Sequence, residues 1–388
     1  MLPPLPSNLS KEERARLVKE YHHDLRVERG AMLTDGHPKV LWNCINRYVR
    51  KDLSPSNRTG LTLFVAHANG FPKEIWEPTL ATLLSSPAGH AIDEIWCWEA
   101  VQHGDAALIN HGSLSRYFDW QDNTRDILNF LTNFLPTEAS ATPLPLHLTR
   151  IPEAESDRRR ASGFQFRRLM IVGHSYGGCT STLATENYPQ LVDSLVLVDP
   201  VIPKPFVSKE SFAVSEGKTD GLLIASLSRR DTWNTREEVL SSYLKNPFFR
   251  AWHPSVLKIY IEAGMYDTTD EAGNPIVKLK MPGIYESVVF SERTVGLEAW
   301  QNLPYIPERI PIRWIVPDRS DADEFGPPGA TGERCWIRPK NSSNIKIPGA
   351  GHLIAQEFPV ELGEDLRDFI LEVYSDLFNQ RTIPRPNL

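Results

Sequence analysis

The feature that most constrains the fold is an apolar run that ends in a glycine-flanked serine. Leu169 to Val172 is apolar, Gly173-His-Ser-Tyr-Gly177 follows, and a helix-compatible segment continues to Tyr188. This order of strand, tight turn and helix is typical of a nucleophile elbow, which holds a serine in a strained conformation with its hydroxyl exposed. Small residues are needed two positions before and after the serine, and both are glycine. We therefore predict that Ser175 is a catalytic nucleophile.

A second motif lies upstream, where the apolar run from Leu61 to Ala66 opens into a loop from His67 to Trp76. An acyl-transfer site needs two backbone N–H groups directed at the developing oxyanion. One comes from the residue after the nucleophile and the other from an early strand–loop junction. We expect Tyr176 to supply the first and Asn69 the second, with the two residues after Asn69 as alternatives.

The general base is expected on a glycine-rich turn near the end of the chain. Ile345 to Ile347 reads as a short strand, and Pro-Gly-Ala-Gly-His352 follows it. In sites of this kind the histidine comes after the serine and the acid in the chain, on a loop after the last strand. His352 is the candidate among the 11 histidines. His174, which adjoins the serine, is expected to pack against the sheet instead.

The third member, the acid, has two candidate positions. Its task is to hold the imidazole tautomer and to stabilise imidazolium, and the end of either of two neighbouring strands can provide it. Asp199 ends the strand after the elbow, where it could also simply cap a turn. Asp318, Asp321 and Asp323 follow the next predicted core strand. The residues alone leave Asp199 and Asp321 as rival acids.

These motifs resemble the α/β-hydrolase fold family, and the whole chain fits its layout. The likeness rests on His67-Ala-Asn-Gly-Phe-Pro-Lys-Glu-Ile-Trp76, Gly173-His-Ser-Tyr-Gly-Gly178, Leu197-Val-Asp-Pro-Val-Ile202 and Gly349-Ala-Gly-His352. Within the family the chain is similar to fungal hydrolases of toxin and polyketide pathways, of the peroxisomal lactonase/lipase-like and mycophenolic acid acyl-CoA hydrolase-like types. In the latter type the acid lies on the strand just after the elbow. The resemblance therefore implies Asp199 as the acid.

Length and composition suit one large α/β domain with an inserted subdomain, since the chain has 388 residues of which 41% are hydrophobic. Apolar runs alternate with helical patterns, which predicts a mainly parallel central sheet flanked by helices. We expect the core to comprise 1–202, with a surface insertion at about 136–163, together with 310–388. A helical cap or lid is expected at 203–309, inserted after the strand that follows the elbow.

The predicted cap is rich in aromatic residues. Most of them are expected to form the small core of the cap itself, but a cap over a serine site also lines a pocket, and small-molecule pockets are mostly apolar. The residues that we predict to contact substrate are Phe71, Trp233, Phe248, Trp252 and Tyr266.

The charge balance narrows the classes of partner. A formal net charge of -7 and a pI near 5.9 argue against a nucleic-acid surface, which would need a basic face. The four cysteines form no C-x-x-C pair, and no glycine-rich phosphate loop is present. We expect no metal and no other cofactor, a small hydrophobic acyl or polyketide substrate, and a homodimer as one option for the assembly.

The apolar runs and the two ends of the given sequence lead to an expectation for the location of the protein. No run approaches the ~18 apolar residues of a membrane span, and the first residues do not read as a signal peptide. The chain ends Arg385-Pro-Asn-Leu388, whereas peroxisomal relatives end in a Ser-Lys-Leu-like tripeptide. We therefore expect a cytoplasmic protein without a membrane span, with the peroxisome as the alternative that the resemblance implies.

Together the motifs predict a serine hydrolase that cleaves an ester or a thioester through a Ser-His-Asp triad and an acyl-enzyme. The resemblance adds an acyl-CoA-like or polyketide substrate and a role in fungal specialised metabolism. Two alternatives stay open. One is a cofactor-free C–C bond hydrolase or cyclase-type enzyme on the same fold, and the other is a catalytically silent, hydrolase-like ligand-binding protein.

Overall fold

The computed structural model describes residues 4–6, 9–27, 40–53, 60–205, 209–318 and 329–379. The strands are β1 (Cys44–Val49), β2 (Gly60–Ala66), β3 (Ile92–Glu99), β4 (Arg167–His174), β5 (Ser194–Val198), β6 (Thr232–Trp233), β7 (Met265–Thr269), β8 (Pro275–Leu279), β9 (Ile312–Pro317) and β10 (Ser342–Ile347).

The α-helices are α1 (Lys11–Val27), α2 (Glu77–Leu84), α3 (Gly104–Ile109), α4 (Trp120–Asn133), α5 (Glu153–Ser162), α6 (Tyr176–Asn187), α7 (Lys209–Ser228), α8 (Arg236–Tyr243), α9 (Pro247–Arg250), α10 (Pro254–Ala263), α11 (Gly283–Phe290), α12 (Val295–Asn302), α13 (Ala330–Cys335), α14 (Ile354–Glu357), α15 (Pro359–Val373) and α16 (Ser375–Asn379). Short 3-10 helices cover Lys73–Trp76, Pro87–His90, Pro189–Leu191 and Leu303–Tyr305. Within the described ranges no helix is long and apolar enough to cross a membrane.

The central sheet has the order β1-β3-β2-β4-β5-β9-β10. Only the edge strand β1 is antiparallel to its neighbour, and the other pairs are parallel. Strands β2, β3 and β5 are buried along their whole length. Helices cover both faces of such a sheet, so its inner strands are continuous apolar runs rather than alternating ones. The predicted α/β-hydrolase fold with a mainly parallel sheet is confirmed.

The sheet brings the ends of neighbouring strands to one edge. β4 and β5 are parallel neighbours in which His174 pairs with Val198, so the next residues, Ser175 and Asp199, leave the sheet side by side. The N–H of Asp199 also donates to the carbonyl of Ile315 on β9, at 2.9 Å. In open α/β sheets ligands bind at this carboxyl edge of the strands.

A cap lies between β5 and β9 in the chain. It contains helices α7 to α12 and a three-stranded sheet of order β6-β8-β7. Its aromatic rings pack on one another, as in the stacked pair Tyr243 and Phe249 with centroids 3.8 Å apart. The core residue Phe71 joins this cluster through an edge contact with Trp252 at 5.4 Å. The aromatic packing therefore joins the cap to the loop after β2.

The segment predicted as a surface insertion before β4 contains an anchored helix, α5. Arg159 on this helix is fully buried and donates to the carbonyls of Leu131, in the last turn of α4, and Leu135, just beyond α4, at 3.0 and 2.7 Å. The last carbonyls of a helix lack intrahelical partners, so a buried guanidinium satisfies them. Composition alone did not predict this anchor.

A buried carboxylate holds the β1 side of the sheet together. Glu94 on β3 is fully buried and lies between Arg47 at 2.8 Å and Arg167, which also donates to it. Burial raises the pKa of Glu94, but the charges of Arg167 and Arg47 outweigh that effect and hold the pKa below its ordinary value. The carboxylate is therefore ionised in the folded protein at neutral pH.

We expect Glu94→Ala to lower the free energy of unfolding by about 3–5 kcal/mol, because it leaves the buried Arg167 without its counter-charge. Urea denaturation at neutral pH measures this. Asp376→Ala is the matched control, because Asp376 pairs with Arg168 at the surface and should matter by less than about 1 kcal/mol. Equal losses in the two variants would contradict the prediction.

Candidate active site

The backbone at Ser175 is turned so that its hydroxyl faces away from the helix it begins. Ser175 is the N-cap of α6 with φ 56° and ψ -119°, and its side chain makes no capping hydrogen bond. A positive φ is unfavourable for a residue with a Cβ, and such strain persists only where the surroundings enforce it. Instead of capping, the hydroxyl donates to Nε2 of His352 at 2.8 Å.

The flanking glycines are required by close backbone contacts. A Cβ on Gly177 would lie 2.5 Å from the carbonyl oxygen of His67, and one on Gly173 would lie 2.6 Å from that of Gly177. Real Cβ atoms essentially never approach backbone that closely. The glycines therefore allow α6 to start directly against β2 and β4.

His352 lies on the turn after β10, with both ring nitrogens in hydrogen bonds. Nδ1–H donates to Asp199 Oδ2 at 2.6 Å, and Nε2 accepts from Ser175. The main-chain carbonyl of His352 accepts from His174 Nε2 at 2.8 Å. Burial, together with the nearby His352, lowers the pKa of His174 to about 3, so His174 is a neutral donor that anchors the turn.

Asp199 has its two carboxylate oxygens in separate contacts. Oδ2 accepts from His352, and Oδ1 accepts from Arg334 Nη2 at 3.0 Å. Burial raises the pKa of Asp199, but the hydrogen bond from His352 and the charges of His352 and Arg334 outweigh burial and hold the pKa below its usual value. Asp199 is therefore ionised at neutral pH.

Of the other candidate acids, the structure describes Asp318 alone. Asp318 is exposed just beyond β9. Asp321 and Asp323 lie outside the described residues. The structure thus brings Asp199, His352 and Ser175 into one hydrogen-bonded chain. Sequence reasoning missed Arg334, because a lone arginine on a short helix carries no motif.

The loop after β2 is fixed by the side chain of Asn69. Its Oδ1 accepts from His103 Nε2 at 3.1 Å, and its Nδ2 donates to the main-chain carbonyl of Glu286 on α11 at the same distance. Burial holds the pKa of His103 well below its usual value, so this ring is neutral. The side chain of Asn69 is thereby committed to structure. Any role in binding an oxyanion falls to the backbone N–H groups of the loop.

Tyr176, the other predicted oxyanion residue, is the first residue of α6. The first N–H groups of a helix have no intrahelical acceptor, and the helix dipole favours negative charge there. Its buried ring packs edge-on to Trp120 at 5.0 Å and nearly parallel to His103 at 6.0 Å. Tyr176 and Asn69 line the same cavity as Ser175 and His352.

That cavity has a volume of about 1110 Å³ and reaches from the candidate site into the cap. Three of the five predicted substrate contacts line it: Phe71, Trp233 and Phe248. The other two, Trp252 and Tyr266, do not. Trp252 is buried in the aromatic core of the cap, behind Phe71 and Phe248, and Tyr266 lies on β7. Sequence reasoning missed four aromatic lining residues, namely Trp120, Tyr243, Phe249 and Phe290.

Comparison with known proteins identifies the family. The profile described as the alpha/beta hydrolase family matches residues 63–364. The chain belongs to the α/β-hydrolase family. This confirms the family that the motifs predicted, and the match includes the elbow, Asp199 and His352.

Among curated proteins, this α/β-hydrolase is similar to the peroxisomal membrane protein LPX1 of Saccharomyces cerevisiae, with 24% identity over 81% of this chain and 76% of LPX1. It is also similar to the type I acyl-CoA thioesterase mpaH of Penicillium roqueforti, with 26% identity over 54% of this chain. That alignment covers 41% of mpaH, so the chain spans less than half of this relative.

Solved structures show the same fold. The yeast peroxisomal alpha-beta-hydrolase Lpx1 matches with a TM-score of 0.64 and 22% identity, covering 89% of this chain and 85% of that one. A thioesterase domain from the curacin biosynthetic pathway matches with a TM-score of 0.54 and 13% identity, over 85% of this chain and 95% of that one.

We expect Asn69→Ala to lower kcat/KM about tenfold or more, because it frees the loop after β2 from His103 and Glu286 at a cost of about 1–3 kcal/mol. Asn123→Ala is the matched control. Asn123 is also buried, and it bonds Trp98 and Thr180 away from the cavity. Steady-state kinetics and thermal melts of both variants test this. The account fails if both lose activity only in proportion to stability.

Proposed function

We propose that this protein is a serine hydrolase that cleaves an ester or thioester of a hydrophobic acyl substrate. One observation carries the proposal. The chain of hydrogen bonds from Asp199 through His352 to Ser175 ends at a serine hydroxyl on the wall of a large, aromatic-lined cavity. A serine is a weak nucleophile until an adjacent base removes its proton, and this arrangement supplies such a base.

The proposed reaction begins when His352 Nε2 takes the proton of Ser175 as Oγ attacks the acyl carbonyl carbon. The ionised Asp199 keeps Nδ1 protonated and stabilises the imidazolium that forms. The N–H of Tyr176 and a backbone N–H of the Asn69 loop receive the oxyanion.

His352 then gives its proton to the departing alcohol or thiol, which leaves an acyl-serine. A water molecule, deprotonated by the same imidazole, attacks this ester. The carboxylic acid is released, and Ser175 regains its proton from His352.

The cavity favours a bulky apolar acyl group. Its volume is large for a single small ester, and rings such as Phe71, Trp233 and Phe248 line it. A polyketide-sized acyl chain suits these walls. The Penicillium relatives named type I acyl-CoA thioesterase support a thioester substrate. A role in fungal specialised metabolism is part of the same proposal.

The basic residues that could receive the phosphates of a coenzyme A group are paired with carboxylates. Arg229 lies 2.5 Å from Glu286, and Arg230 lies 2.6 Å from Glu238. Lys204 lies 2.5 Å from Glu333. These pairs favour an uncharged leaving group, whereas the named relatives favour coenzyme A. Our proposal therefore covers both esters and thioesters.

The cellular location of the protein is a further part of the proposal. We propose the cytoplasm, as the sequence analysis expects. The similarity to a yeast protein whose name includes "peroxisomal" supports the peroxisome as the alternative.

We expect a fluorophosphonate to add its mass once to the wild-type protein and not to Ser175→Ala, because only an activated serine attacks it. Intact-protein mass spectrometry measures the adduct. Ser181→Ala is the matched control, since Ser181 is a buried serine on the same helix and its loss should leave labelling intact. Absent labelling of the folded wild-type protein would favour a ligand-binding protein instead.

We expect Asp199→Asn to lower kcat by about 10⁴-fold, because an amide neither fixes the imidazole tautomer nor stabilises imidazolium. Asp318→Asn and Asp321→Asn should retain near-normal rates. Kinetics with p-nitrophenyl esters and with acyl-CoA measure all three and also give the preference between ester and thioester. Near-normal turnover in Asp199→Asn, with a large loss in Asp321→Asn, would reverse the assignment of the acid.

A further inference from the structure

We propose that Arg334 is a positioning residue that holds the Asp199 carboxylate in the orientation in which it meets His352. The inference rests on the proposed function and adds a residue that no sequence motif identifies. Arg334 Nη2 donates to Asp199 Oδ1 at 3.0 Å, while His352 uses Oδ2. The acid is thus held from both sides, and Arg334 acts on the reaction only through it.

Burial makes this contact expensive for the fold. The side chains of Arg334 and Asp199 are 1% and 6% exposed. Removing two charges from water costs about as much as their attraction returns, so a buried ion pair adds little net stability compared with apolar residues of similar size. A pair in direct contact with His352 is therefore better explained by the requirements of that histidine than by stability.

The fold brings Arg334 to the carboxylate oxygen of Asp199 that His352 does not use. Arg334 lies on α13, between β9 and β10, where the flanking residues Ala330 and Cys335 are buried. Thr331 Oγ1 lies 3.4 Å from the same Nη2. The rival acids of the sequence analysis belong to this same connection between β9 and β10. Its described part carries Arg334, whose guanidinium contacts Asp199, the residue after β5.

The first consequence concerns orientation. Asp199 has φ 33°, a left-handed conformation that is unusual for a residue other than glycine. Its N–H is tied to Ile315, but the carboxylate can still rotate about its own bonds. A second hydrogen bond from a rigid guanidinium fixes the plane in which Oδ2 meets His352.

The second consequence is electrostatic. A carboxylate next to an imidazole favours imidazolium, whereas a nearby permanent positive charge disfavours it. The guanidinium of Arg334 carries a positive charge, so it offsets part of the charge of Asp199. The Asp199 carboxylate then stabilises imidazolium less strongly than it would without Arg334.

Other groups face this pair from the neighbouring elements. His174, from the end of β4, is neutral, with its ring centroid 5.4 Å from that of His352. Glu357, on α14, accepts from the N–H of Gly351 at 2.9 Å. Ser175 is uncharged in the resting state. Of these groups, Arg334 supplies a cation in direct contact with Asp199.

We expect Arg334→Met to move the acid limb of the kcat/KM profile to higher pH by about one unit, because the Asp199 carboxylate, no longer offset by the Arg334 charge, favours imidazolium more strongly. At the alkaline plateau kcat should fall about tenfold with little change in KM, because Asp199 loses the hydrogen bond from Arg334 that orients its carboxylate. Arg334→Lys keeps the charge and should return the acid limb towards its wild-type position. An unchanged profile and plateau in Arg334→Met would overturn the proposal.

Arg338→Met is the matched control. Arg338 is a buried arginine four residues away, but it donates to the backbone carbonyls of Lys340 and Ile310, each at 2.7 Å. Its loss should reduce stability without moving the acid limb. Identical shifts in the Arg334 and Arg338 variants would show a structural effect only. If Arg334→Met does not fold, Arg334→Gln replaces it, because it also removes the charge. The same shift of the acid limb is then expected, and an unchanged profile and plateau would refute the proposal.

A measurement independent of turnover separates this inference from the proposed function. Titration of His352 by NMR, in protein labelled at histidine nitrogens and assigned with His352→Gln, reads its proton affinity without substrate. A higher pKa in the Arg334 variant than in wild type supports the inference even if no ester is cleaved. An equal pKa refutes the electrostatic role even if the enzyme is an active hydrolase.

Discussion

The candidate site depends on the hydrogen bond of 2.6 Å between His352 Nδ1 and Asp199 Oδ2. That contact fixes which ring nitrogen carries the proton and therefore leaves Nε2 free to accept from Ser175. The contact is possible because β4 and β5 are parallel neighbours, and their register places Ser175 and Asp199 side by side just after the two strands end. The turn after β10 brings His352 from the far edge of the sheet, and His174 anchors that turn.

The cap and the core meet at the loop that carries Asn69. On the core side His103 holds the amide oxygen of Asn69, and on the cap side the backbone of Glu286 accepts from its amide nitrogen. The carboxylate of Glu286 in turn lies 2.5 Å from Arg229, another cap residue that lines the cavity. A displacement of α11 would therefore move both the wall of the cavity and the backbone that we propose binds the oxyanion.

The fold and the elbow were predictable from sequence for local reasons. The glycines around Ser175 are required by close backbone contacts, of Gly173 with the start of α6 and of Gly177 with the end of β2, and such contacts leave a recognisable pattern of small residues. The residues alone leave the acid open, because two neighbouring strands both end near aspartates. The contact between Asp199 and His352 is a feature of the folded topology that no local spacing indicates.

The cap and its charges were harder to predict. Aromatic composition does not separate a residue that lines a cavity from one behind it, so Trp252 was assigned to the lining although it packs in the core of the cap. Arg334 had no sequence signal, because its partner lies 135 residues earlier in the chain. Long-range pairs of this kind depend on the folded topology and not on local spacing.

The central claim is that Ser175 forms an acyl-enzyme, and rapid acid quench with a p-nitrophenyl ester tests it most directly. Peptide mass spectrometry after quenching at millisecond times locates the acyl group. Our account predicts a burst of about one p-nitrophenol per protein, with the acyl mass on the peptide that contains Ser175. A burst with the acyl group on a different residue, or with Ser175 unmodified, would contradict it.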